Sequence, residues 1–211
     1  MNKIDPYIFP STVIVGNGEF PLNDTPCHVL DNARSVIICD GAANHYVTTG
    51  RAFDIIIGDG DSMSDDVRQQ YASRIILSSC QETNDQTKAV NYLAQQGITH
   101  IAIVGATGRR DDHTIGNISL LIDYLSRGIT AYIYTDHGIF IPAYCDNTFV
   151  TQPRQQISIF NFGSTQLSAK GLKYPIRPFD SWWQGTLNEA TDSSCTIHAD
   201  GYYLIYLAYK Q

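Results

Sequence analysis

The chain has 211 residues, of which 43% are hydrophobic and 17% charged, so it can bury a sizeable core and is not expected to be disordered. Its formal net charge of -7 argues against general binding to the phosphate backbone of nucleic acids. No apolar run approaches the roughly 18 residues of a membrane span, and the first residues lack the apolar core of a signal peptide. The five cysteines are scattered without a CxxC pair, which favours a reducing compartment. We therefore expect a cytoplasmic protein whose partners are neither nucleic acids nor membranes.

Short apolar runs alternate with helix-like segments in the first two thirds of the chain. The runs are rich in Ile and Val at consecutive positions, as in strands that are buried on both faces of a parallel sheet. The predicted strands are Thr12–Val15, Val36–Cys39, Asp54–Ile57, Arg74–Leu77, Ile101–Val104 and Ala131–Tyr134. The predicted helices are Ala42–Thr49, Ser64–Ser73, Asp85–Gln96 and Thr114–Ser126. This alternation predicts an α/β domain with a doubly wound, mainly parallel sheet, which we place at residues 1–140.

The helical period disappears after about residue 140. The segments that follow are short, β-branched or aromatic, and separated by Gly, Pro and Asn. The predicted strands are Gln156–Phe162, Thr165–Ser168, Cys195–Ala199 and Tyr202–Ala208. Such segments are typical of antiparallel sheets. We therefore expect a smaller all-β sandwich domain at residues 141–211.

Carboxylates follow four of the predicted parallel strands. They are Asp40, Asp59, Asp61, Asp85, Asp111 and Asp112. The carboxyl ends of parallel strands share one edge of the sheet, which is where ligands bind, so these side chains should gather in one crevice. Carboxylates that lie close together repel unless a cation sits among them, and Mg²⁺ prefers such hard oxygen ligands. Asp59 and Asp61 suit this purpose because Gly60 between them permits a tight turn.

Basic residues and glycines accompany the carboxylates. Lys88, Arg109 and Arg110 could provide positive charge for a polyphosphate. Any single Asp-Gly loop is explained equally well as a turn or a helix N-cap, and Asp85 could be only an N-cap. Four such loops on one edge favour a metal–polyphosphate site. The chain contains no GxxxxGK[ST] motif and no GxGxxG that opens a helix after the first strand, which excludes a P-loop enzyme and argues against a dinucleotide-binding fold.

The motifs at these strand ends also occur in a known order. They are Asp40-Gly41-Ala42-Ala43-Asn44, Gly58-Asp59-Gly60-Asp61-Ser62, Asp85 with Lys88-Ala89, Gly105-Ala106-Thr107-Gly108 running to Arg110, Asp112-His113 and Asn117, then Gly171-Leu172-Lys173-Tyr174-Pro175-Ile176 and Asn188-Glu189. In order and spacing they resemble the thiamin pyrophosphokinase family over nearly the whole chain. The resemblance implies an α/β catalytic domain, a C-terminal β-sandwich for thiamin binding and dimerisation, and a homodimer with thiamin at the subunit interface.

The resemblance also implies a reaction, in which ATP and thiamin give AMP and thiamin diphosphate with Mg²⁺. The residues that it assigns to Mg²⁺ are Asp59, Asp61 and Asp85, and those that it assigns to catalysis are the same three with Arg110 and Asp112. The residues that it assigns to the nucleotide are Asn17, Asp40, Gly41, Asn44, Ser62, Lys88, Thr107, Arg110 and His113. By the same resemblance, Tyr174 stacks on thiamin and Asn188 hydrogen-bonds its pyrimidine.

The chain departs from the family pattern at several positions. Leu187 stands where the family usually has Ser, which removes a polar contact to the base and leaves open another hydroxymethyl heterocycle as the acceptor. Asn84 replaces Thr, and Arg109 replaces Gly. A non-catalytic protein that binds thiamin is a third possibility, but such a protein has no reason to keep all the Asp loops. Trp182 and Trp183 are expected in the core or at a dimer interface, or else beside the thiamin.

Overall fold

The computed structural model describes residues 2–209, which divide into two compact units. The parallel unit comprises residues 10–120 and 128–136, and the two-sheet unit comprises residues 2–9, 121–127 and 137–209. The predicted boundary between residues 140 and 141 falls inside the strand Gly138–Tyr144, all of which belongs to the two-sheet unit. The outer ends of the two predicted domains, residues 1, 210 and 211, lie outside the described residues.

Strands and short helices alternate along the chain. The strands are β1 (Asn2–Ile4), β2 (Thr12–Val15), β3 (Ser35–Cys39), β4 (Ile55–Gly58), β5 (Ile75–Leu77), β6 (His100–Val104), β7 (Thr130–Tyr134), β8 (Gly138–Tyr144), β9 (Asn147–Val150), β10 (Gln156–Phe162), β11 (Leu167–Lys170), β12 (Asn188–Glu189), β13 (Ser194–Ala199) and β14 (Tyr202–Ala208). The helices are α1 (Asp24–Asp31), α2 (Ala43–Tyr46), α3 (Asp65–Gln70), α4 (Asp85–Gln95) and α5 (Asp111–Ser126).

The parallel unit contains strands in the order β7-β6-β2-β3-β4-β5, and all of these pairs are parallel. All four residues of β2 are buried, and the last four of both β3 and β6 are buried as well. Consecutive apolar residues therefore do face helices or loops on both sides of the sheet, as expected of central parallel strands. The prediction of a mixed α/β protein with a large sheet is confirmed.

The two-sheet unit contains an antiparallel set, β12-β10-β14-β8, and a second sheet, β1-β9-β13-β11. In the second sheet β1 pairs with β9 in parallel, while the other pairs are antiparallel. Phe149 and Tyr203 are both fully buried, and their rings meet edge to face with centroids 6.3 Å apart. The core of this unit thus contains aromatic side chains from both sheets.

Several predicted elements differ in position or type. The predicted strand Thr165–Ser168 lies two residues further on, at β11. The predicted helix Ala42–Thr49 is the short helix α2 between two single turns of 3₁₀ helix, Asp40–Ala42 and Val47–Thr49. Trp182 and Trp183 lie in a further 3₁₀ turn, Trp182–Gly185. No helix in residues 2–209 is long and apolar enough to cross a membrane.

Candidate active site

A pocket of about 440 Å³ opens in the parallel unit. The loops that follow β2, β3, β4, β5 and β6 all contribute to its lining, so it lies at the carboxyl edge of the sheet. The lining residues are Gly16, Asn17, Gly18, Cys39, Gly41, Asp59, Ser62, Gln81, Thr83, Asn84, Asp85, Gln86, Lys88, Ala106, Gly108, Arg109, Arg110, His113 and Asn117. This is the edge at which open α/β sheets bind ligands.

Three carboxylates, Asp40, Asp59 and Asp61, form an acidic cluster in which one oxygen atom from each lies within 4.8 Å of the others. Asp40 is fully buried, and its Oδ2 accepts hydrogen bonds from the backbone N–H groups of Gly60 (2.9 Å) and Ser62 (3.3 Å). Its Oδ1 is buried and has no hydrogen-bond partner among the described residues. Burial raises the pKa of Asp40, and the nearby negative charges raise it further against the backbone hydrogen bonds.

The Asp59–Ser62 turn owes its shape to glycine. Gly60 has a φ of 83°, which L side chains rarely adopt. The turn closes on itself, because Asp61 N–H donates to Asp59 Oδ1 over 3.3 Å and Ser62 Oγ donates to Asp61 Oδ1 over 2.9 Å. The hydrogen bonds with Asp61 lower the pKa of Asp59, so this carboxylate stays ionised. Arg68 donates to the Gly60 carbonyl and so supports the turn from α3.

Lys88 connects the acidic cluster to α4. Its Nζ donates to Asp85 Oδ1 over 2.9 Å and lies 3.9 Å from Asp59 Oδ2. Burial alone would lower the pKa of Lys88, but the hydrogen bond to Asp85 and the charges of Asp85 and Asp59 outweigh it and raise the pKa above its usual value. The ammonium group is therefore charged and held between the two carboxylates.

Asn84 fixes the start of α4. Its Oδ1 accepts the N–H of Thr87 over 2.9 Å as an N-cap, and its Nδ2 donates to Asn117 Oδ1 over 2.9 Å. Asn117 Nδ2 in turn donates to the Ala106 carbonyl over 2.8 Å. This chain of amides links the first turn of α4, which carries Asp85, to α5 and to the loop after β6.

The arginines of that loop differ in their partners. Arg110 forms a two-point ion pair with Asp112, with Nη2 2.6 Å from Oδ2 and Nε 3.1 Å from Oδ1. This pairing raises the pKa of Arg110 and lowers the pKa of Asp112. Arg109 instead donates from Nη1 to the side-chain and backbone oxygens of Asn17, over 2.7 and 3.1 Å.

The pocket brings together eight of the residues that the resemblance assigns to the metal, to catalysis or to the nucleotide: Asn17, Gly41, Asp59, Ser62, Asp85, Lys88, Arg110 and His113. Five others lie outside its lining: Asp40, Asn44, Asp61, Thr107 and Asp112. Asp40 and Asp61 belong to the acidic cluster, whereas Asp112 pairs with Arg110 and is not part of that cluster. Asn44 Nδ2 donates to the Ser62 carbonyl, and Asn44 Oδ1 accepts the N–H of Ser64.

Thr107 also lies outside the pocket lining, and its carbonyl accepts the N–H of Glu19 over 2.8 Å. Gln81 and Thr83 are among the lining residues that the sequence analysis missed. Gln81 Nε2 lies 3.5 Å from Asp59 Oδ2. The only signal for them is their place after β5, on the same edge as the acidic residues.

The two residues predicted to bind thiamin lie in the two-sheet unit and contact each other. Asn188 Oδ1 accepts the N–H of Tyr174 over 3.1 Å, and Asn188 Nδ2 donates to the Tyr174 carbonyl over 2.8 Å. Asn188 is buried, while Tyr174 is 53% exposed with Lys173 Nζ 5.6 Å from its ring centroid. The Asn188 amide therefore holds the backbone of Tyr174, and the tyrosine ring remains open to a ligand.

Both tryptophans of this unit are exposed, so the expectation of a core position is wrong. Trp182 packs against Phe162 with ring centroids 5.2 Å apart, while Trp183 is 74% exposed. Leu187 is 81% exposed and has a φ of 65°. The segment before β12 thus presents several large apolar side chains.

Comparison with known proteins identifies the family. Residues 27–133 match the family described as "Thiamin pyrophosphokinase, catalytic domain", and residues 138–206 match "Thiamin pyrophosphokinase, substrate-binding domain". The chain therefore belongs to the thiamin pyrophosphokinase family. It is 33% identical over 116 residues to thiamine pyrophosphokinase 1 of Oryza sativa subsp. japonica, a match that covers 43% of this chain and 44% of the rice protein.

Solved structures of the same family have the same fold. The thiamine pyrophosphokinase of Bacillus subtilis superposes with a TM-score of 0.78 at 20% identity, over 95% of this chain and 99% of that one. The thiamin pyrophosphokinase of Candida albicans gives 0.80 at 17% identity, over 99% and 93%. A likeness at such low sequence identity shows the fold alone.

Proposed function

We propose that the protein is an ATP-dependent diphosphokinase that transfers the diphosphate of ATP to the hydroxyl of thiamin, which yields thiamin diphosphate and AMP. One observation carries this proposal. Asp59 of the acidic cluster lines one pocket together with three cationic side chains, Lys88, Arg109 and Arg110, and all of these residues lie in the part of the chain that matches the family's catalytic domain. A polyphosphate and a divalent cation are the ligands that such a mixture of charges fits.

The residues of the acidic cluster fit Mg²⁺. Asp40 Oδ1 is buried without a partner among the described residues, and the carboxylates of Asp59 and Asp61 lie close to it. We propose that Asp59 and Asp61 bind the ion together with Asp85, with Asp40 behind them. Bound there, Mg²⁺ would neutralise part of the charge on the polyphosphate.

The nucleotide phosphates would lie along the remaining lining of the pocket. Lys88 provides an ammonium group that is positioned by its hydrogen bond to Asp85. Arg110 provides a guanidinium group that is oriented by its ion pair with Asp112. Asn17 and Ser62 add neutral donors from two other loops. Phosphoryl transfer requires mainly alignment and charge neutralisation, which this arrangement would supply.

In the transfer itself, the thiamin hydroxyl oxygen bonds to the β-phosphorus of ATP. The bond from that phosphorus to the oxygen that bridges the α- and β-phosphates breaks, and AMP leaves with that oxygen. The hydroxyl proton has to pass to a base. Asp85 is the proposed acceptor of that proton, because it lines the pocket and is partly exposed.

Thiamin would bind through the two-sheet unit, which we propose to be a β-sandwich, and we propose that the parallel unit is a doubly wound nucleotide-binding domain. The exposed ring of Tyr174 can stack on a flat cationic heterocycle, which an aromatic face attracts. We also propose a homodimer with thiamin at the subunit interface, since the exposed side chains of Trp183 and Leu187 form apolar surface that a second subunit could cover.

Light scattering tests the proposed homodimer. It should give twice the mass of one chain, and the mass of a single chain would contradict the dimer.

A second acceptor remains a candidate because of Leu187. This side chain is largely exposed, and the neighbouring Asn188 amide is occupied by the Tyr174 backbone. Leu187 has no polar group that could select the thiamin pyrimidine, and the Tyr174 backbone already engages the amide oxygen and one amide N–H of Asn188. A related hydroxymethyl heterocycle is therefore an alternative acceptor for the same diphosphate.

A comparison of acceptors tests the proposal. Purified protein with ATP and Mg²⁺ would be given thiamin, a hydroxymethylpyrimidine or a pterin alcohol, and AMP release would be followed. We expect AMP release that depends on thiamin and is at least about tenfold faster than with the others, a difference of about 1.4 kcal/mol in transition-state stabilisation. If another alcohol is turned over faster than thiamin, that alcohol and not thiamin is the acceptor. AMP release that needs no acceptor would indicate hydrolysis.

A further inference from the structure

Arg109 occupies a backbone position that favours glycine. Its φ is 59°, in the left-handed region, as are the φ angles of two glycines of the same loop, Gly105 at 65° and Gly108 at 79°. A residue with a Cβ atom is strained in this conformation, whereas glycine is not. The contacts of the arginine side chain therefore have to offset this strain.

Those contacts are made with the loop after β2. Arg109 Nη1 donates to Asn17 Oδ1 and to the Asn17 carbonyl, 92 residues away in sequence. The two loops are already joined at their base, where Gly18 N–H donates to the Gly105 carbonyl over 2.7 Å. Glu19 N–H also donates to the Thr107 carbonyl, and Arg109 adds a side-chain connection to these backbone bonds.

This connection also determines which way the Asn17 amide points. A guanidinium group only donates hydrogen bonds, so the amide oxygen has to face Arg109 and the amide nitrogen the other side. The nitrogen lies against Gly41, since a Cβ atom built on Gly41 would lie 2.2 Å from Asn17 Nδ2. Both Asn17 and Gly41 line the pocket. Among the described residues, that nitrogen has no hydrogen-bond acceptor, so its donors are available to a ligand.

The charge of Arg109 is also uncompensated. Of the lysine and arginine residues that line the pocket in the described structure, Lys88 pairs with Asp85 and Arg110 pairs with Asp112. Arg109 has no carboxylate within 4.0 Å among residues 2–209, and its partner Asn17 is neutral. Its full positive charge therefore remains available to an anion.

We propose that Arg109 is a specificity-determining residue for the polyphosphate of the nucleotide. It fixes the Asn17 amide with its N–H donors available to the ligand, and it contributes an uncompensated charge that favours ATP over AMP. This inference rests on the proposed function in taking ATP as the ligand. Its consequence is that the affinity for ATP depends on Arg109 more strongly than the affinity for AMP does.

Arg109→Gly separates this role from a structural one. The substitution removes the strain, so the midpoint of thermal unfolding should stay the same or rise. The Kd of ATP with Mg²⁺, measured by calorimetry in the absence of thiamin, should rise about tenfold, as the loss of a charge-assisted hydrogen bond predicts. The Kd of AMP should change by less than about threefold, because AMP lacks the β- and γ-phosphates.

Arg154→Gly is the matched control. Arg154 is an exposed arginine with a φ of 68° in the two-sheet unit, and it does not line the pocket. Its replacement removes the same strain and the same charge, and it should leave the Kd of ATP unchanged. A second variant, Asn17→Asp, keeps a partner for Arg109 but neutralises its charge and removes the amide donors. We expect this variant also to weaken ATP binding.

Three results would overturn the inference: an unchanged Kd of ATP in Arg109→Gly, an equal loss of ATP and AMP affinity, or a wild-type protein that binds no ATP. An unchanged Kd of ATP would mean that Arg109 has a purely structural role. An equal loss of ATP and AMP affinity would mean that Arg109 contacts a part of the nucleotide that ATP and AMP share. The proposed function fails separately. A wild-type protein that binds ATP through Arg109 but forms no thiamin diphosphate would support this inference and contradict the proposed reaction.

Discussion

At the scale of single residues, the site depends on the carboxylates of the acidic cluster, which backbone hydrogen bonds and a nearby glycine allow to lie close together. Asp40 is buried directly behind the Asp59–Ser62 turn, and two backbone N–H groups of that turn bind one of its oxygens. Gly58 permits this approach, because a Cβ atom at that position would lie 2.3 Å from the Asp40 Cβ. The close spacing of negative charge is costly without a cation, which is the physical reason to expect one there.

Asp61→Asn tests this reasoning. The amide keeps the size of the side chain and removes one charge from the cluster, so we expect the turnover number to fall at least about a hundredfold while the protein stays folded. Steady-state kinetics over a range of Mg²⁺ concentrations and circular dichroism would measure the two effects. The control is Asp65→Asn, an exposed residue in the first turn of α3, whose activity should match the wild type. Near-normal turnover in Asp61→Asn would remove Asp61 from the metal site.

At the scale of elements, the loops at the carboxyl edge are held by hydrogen bonds between side chains of different elements. Asn84 both caps α4 and bonds to Asn117 of α5, and Asn117 holds the carbonyl of Ala106. The position of Asp85 and Lys88 in the pocket therefore depends on a contact that spans two helices.

Asn84→Thr separates the two functions of Asn84. Threonine can cap the helix through its hydroxyl but cannot reach Asn117 with an amide, so stability should change little. Asn84→Ala loses the cap as well and should cost about 1 kcal/mol of unfolding free energy, measured in urea. Both variants should lower kcat/KM, because α4 and α5 lose their link. A fall in kcat/KM in the alanine variant alone would show that the cap matters and the link to α5 does not.

The turn between β13 and β14 is predicted to make stability depend on pH. Asp200 accepts hydrogen bonds from Thr165 Oγ1 and from the N–H groups of Thr165 and Gln166, and the Thr165 hydroxyl is the largest cause that lowers the Asp200 pKa to about 2. Since the folded-state pKa lies below the unfolded value of about 3.9, this contribution is complete above about pH 4 and is lost as the pH falls towards 2.

Urea unfolding of the wild type and of Asp200→Asn between pH 7 and pH 2 would measure this effect. The wild type should be the more stable protein at pH 7, and the difference should shrink below pH 4. A stability difference that stays constant over the whole range would exclude the carboxylate of Asp200 as its source. The comparison with the variant is needed because other acidic groups titrate in the same range.

The sequence predicted the parallel strands well, because they follow from local pattern. Of the six carboxylates expected in one crevice, Asp40, Asp59 and Asp61 form the acidic cluster and Asp85 lines the pocket, whereas Asp111 and Asp112 do neither. The run of β-branched residues at Thr12–Val15 matches β2 residue for residue. Strand β8 was missed, since it contains Pro142, a residue that normally argues against a strand. Helix α1 was missed for the same reason, because Pro26 is its third residue.

The individual contacts of the site could not be predicted. Nothing in the local sequence shows that Arg109 donates a hydrogen bond to Asn17. The ion pair of Asp112 with Arg110 and the hydrogen bonds of the Asn188 amide with the Tyr174 backbone are equally hidden in the sequence. These contacts join residues far apart in the chain or depend on side-chain direction. They are set by tertiary packing, which motif order does not encode.

At the scale of the whole molecule, the chain combines two units that match different domains of the family. The match to the family's catalytic domain falls mostly on the parallel unit, which contains the charged pocket, and the match to its substrate-binding domain falls on the two-sheet unit, which presents Tyr174. The proposed reaction needs both, since one unit would bind ATP and the other the acceptor.

The most direct test is the product balance of the purified 211-residue chain with ATP, Mg²⁺ and thiamin, followed by phosphorus NMR. Transfer of an intact diphosphate predicts AMP and thiamin diphosphate in equal amounts, with no ADP and no product when Mg²⁺ is chelated. Formation of ADP together with thiamin monophosphate would contradict the account, because it would mean that the protein transfers a single phosphate.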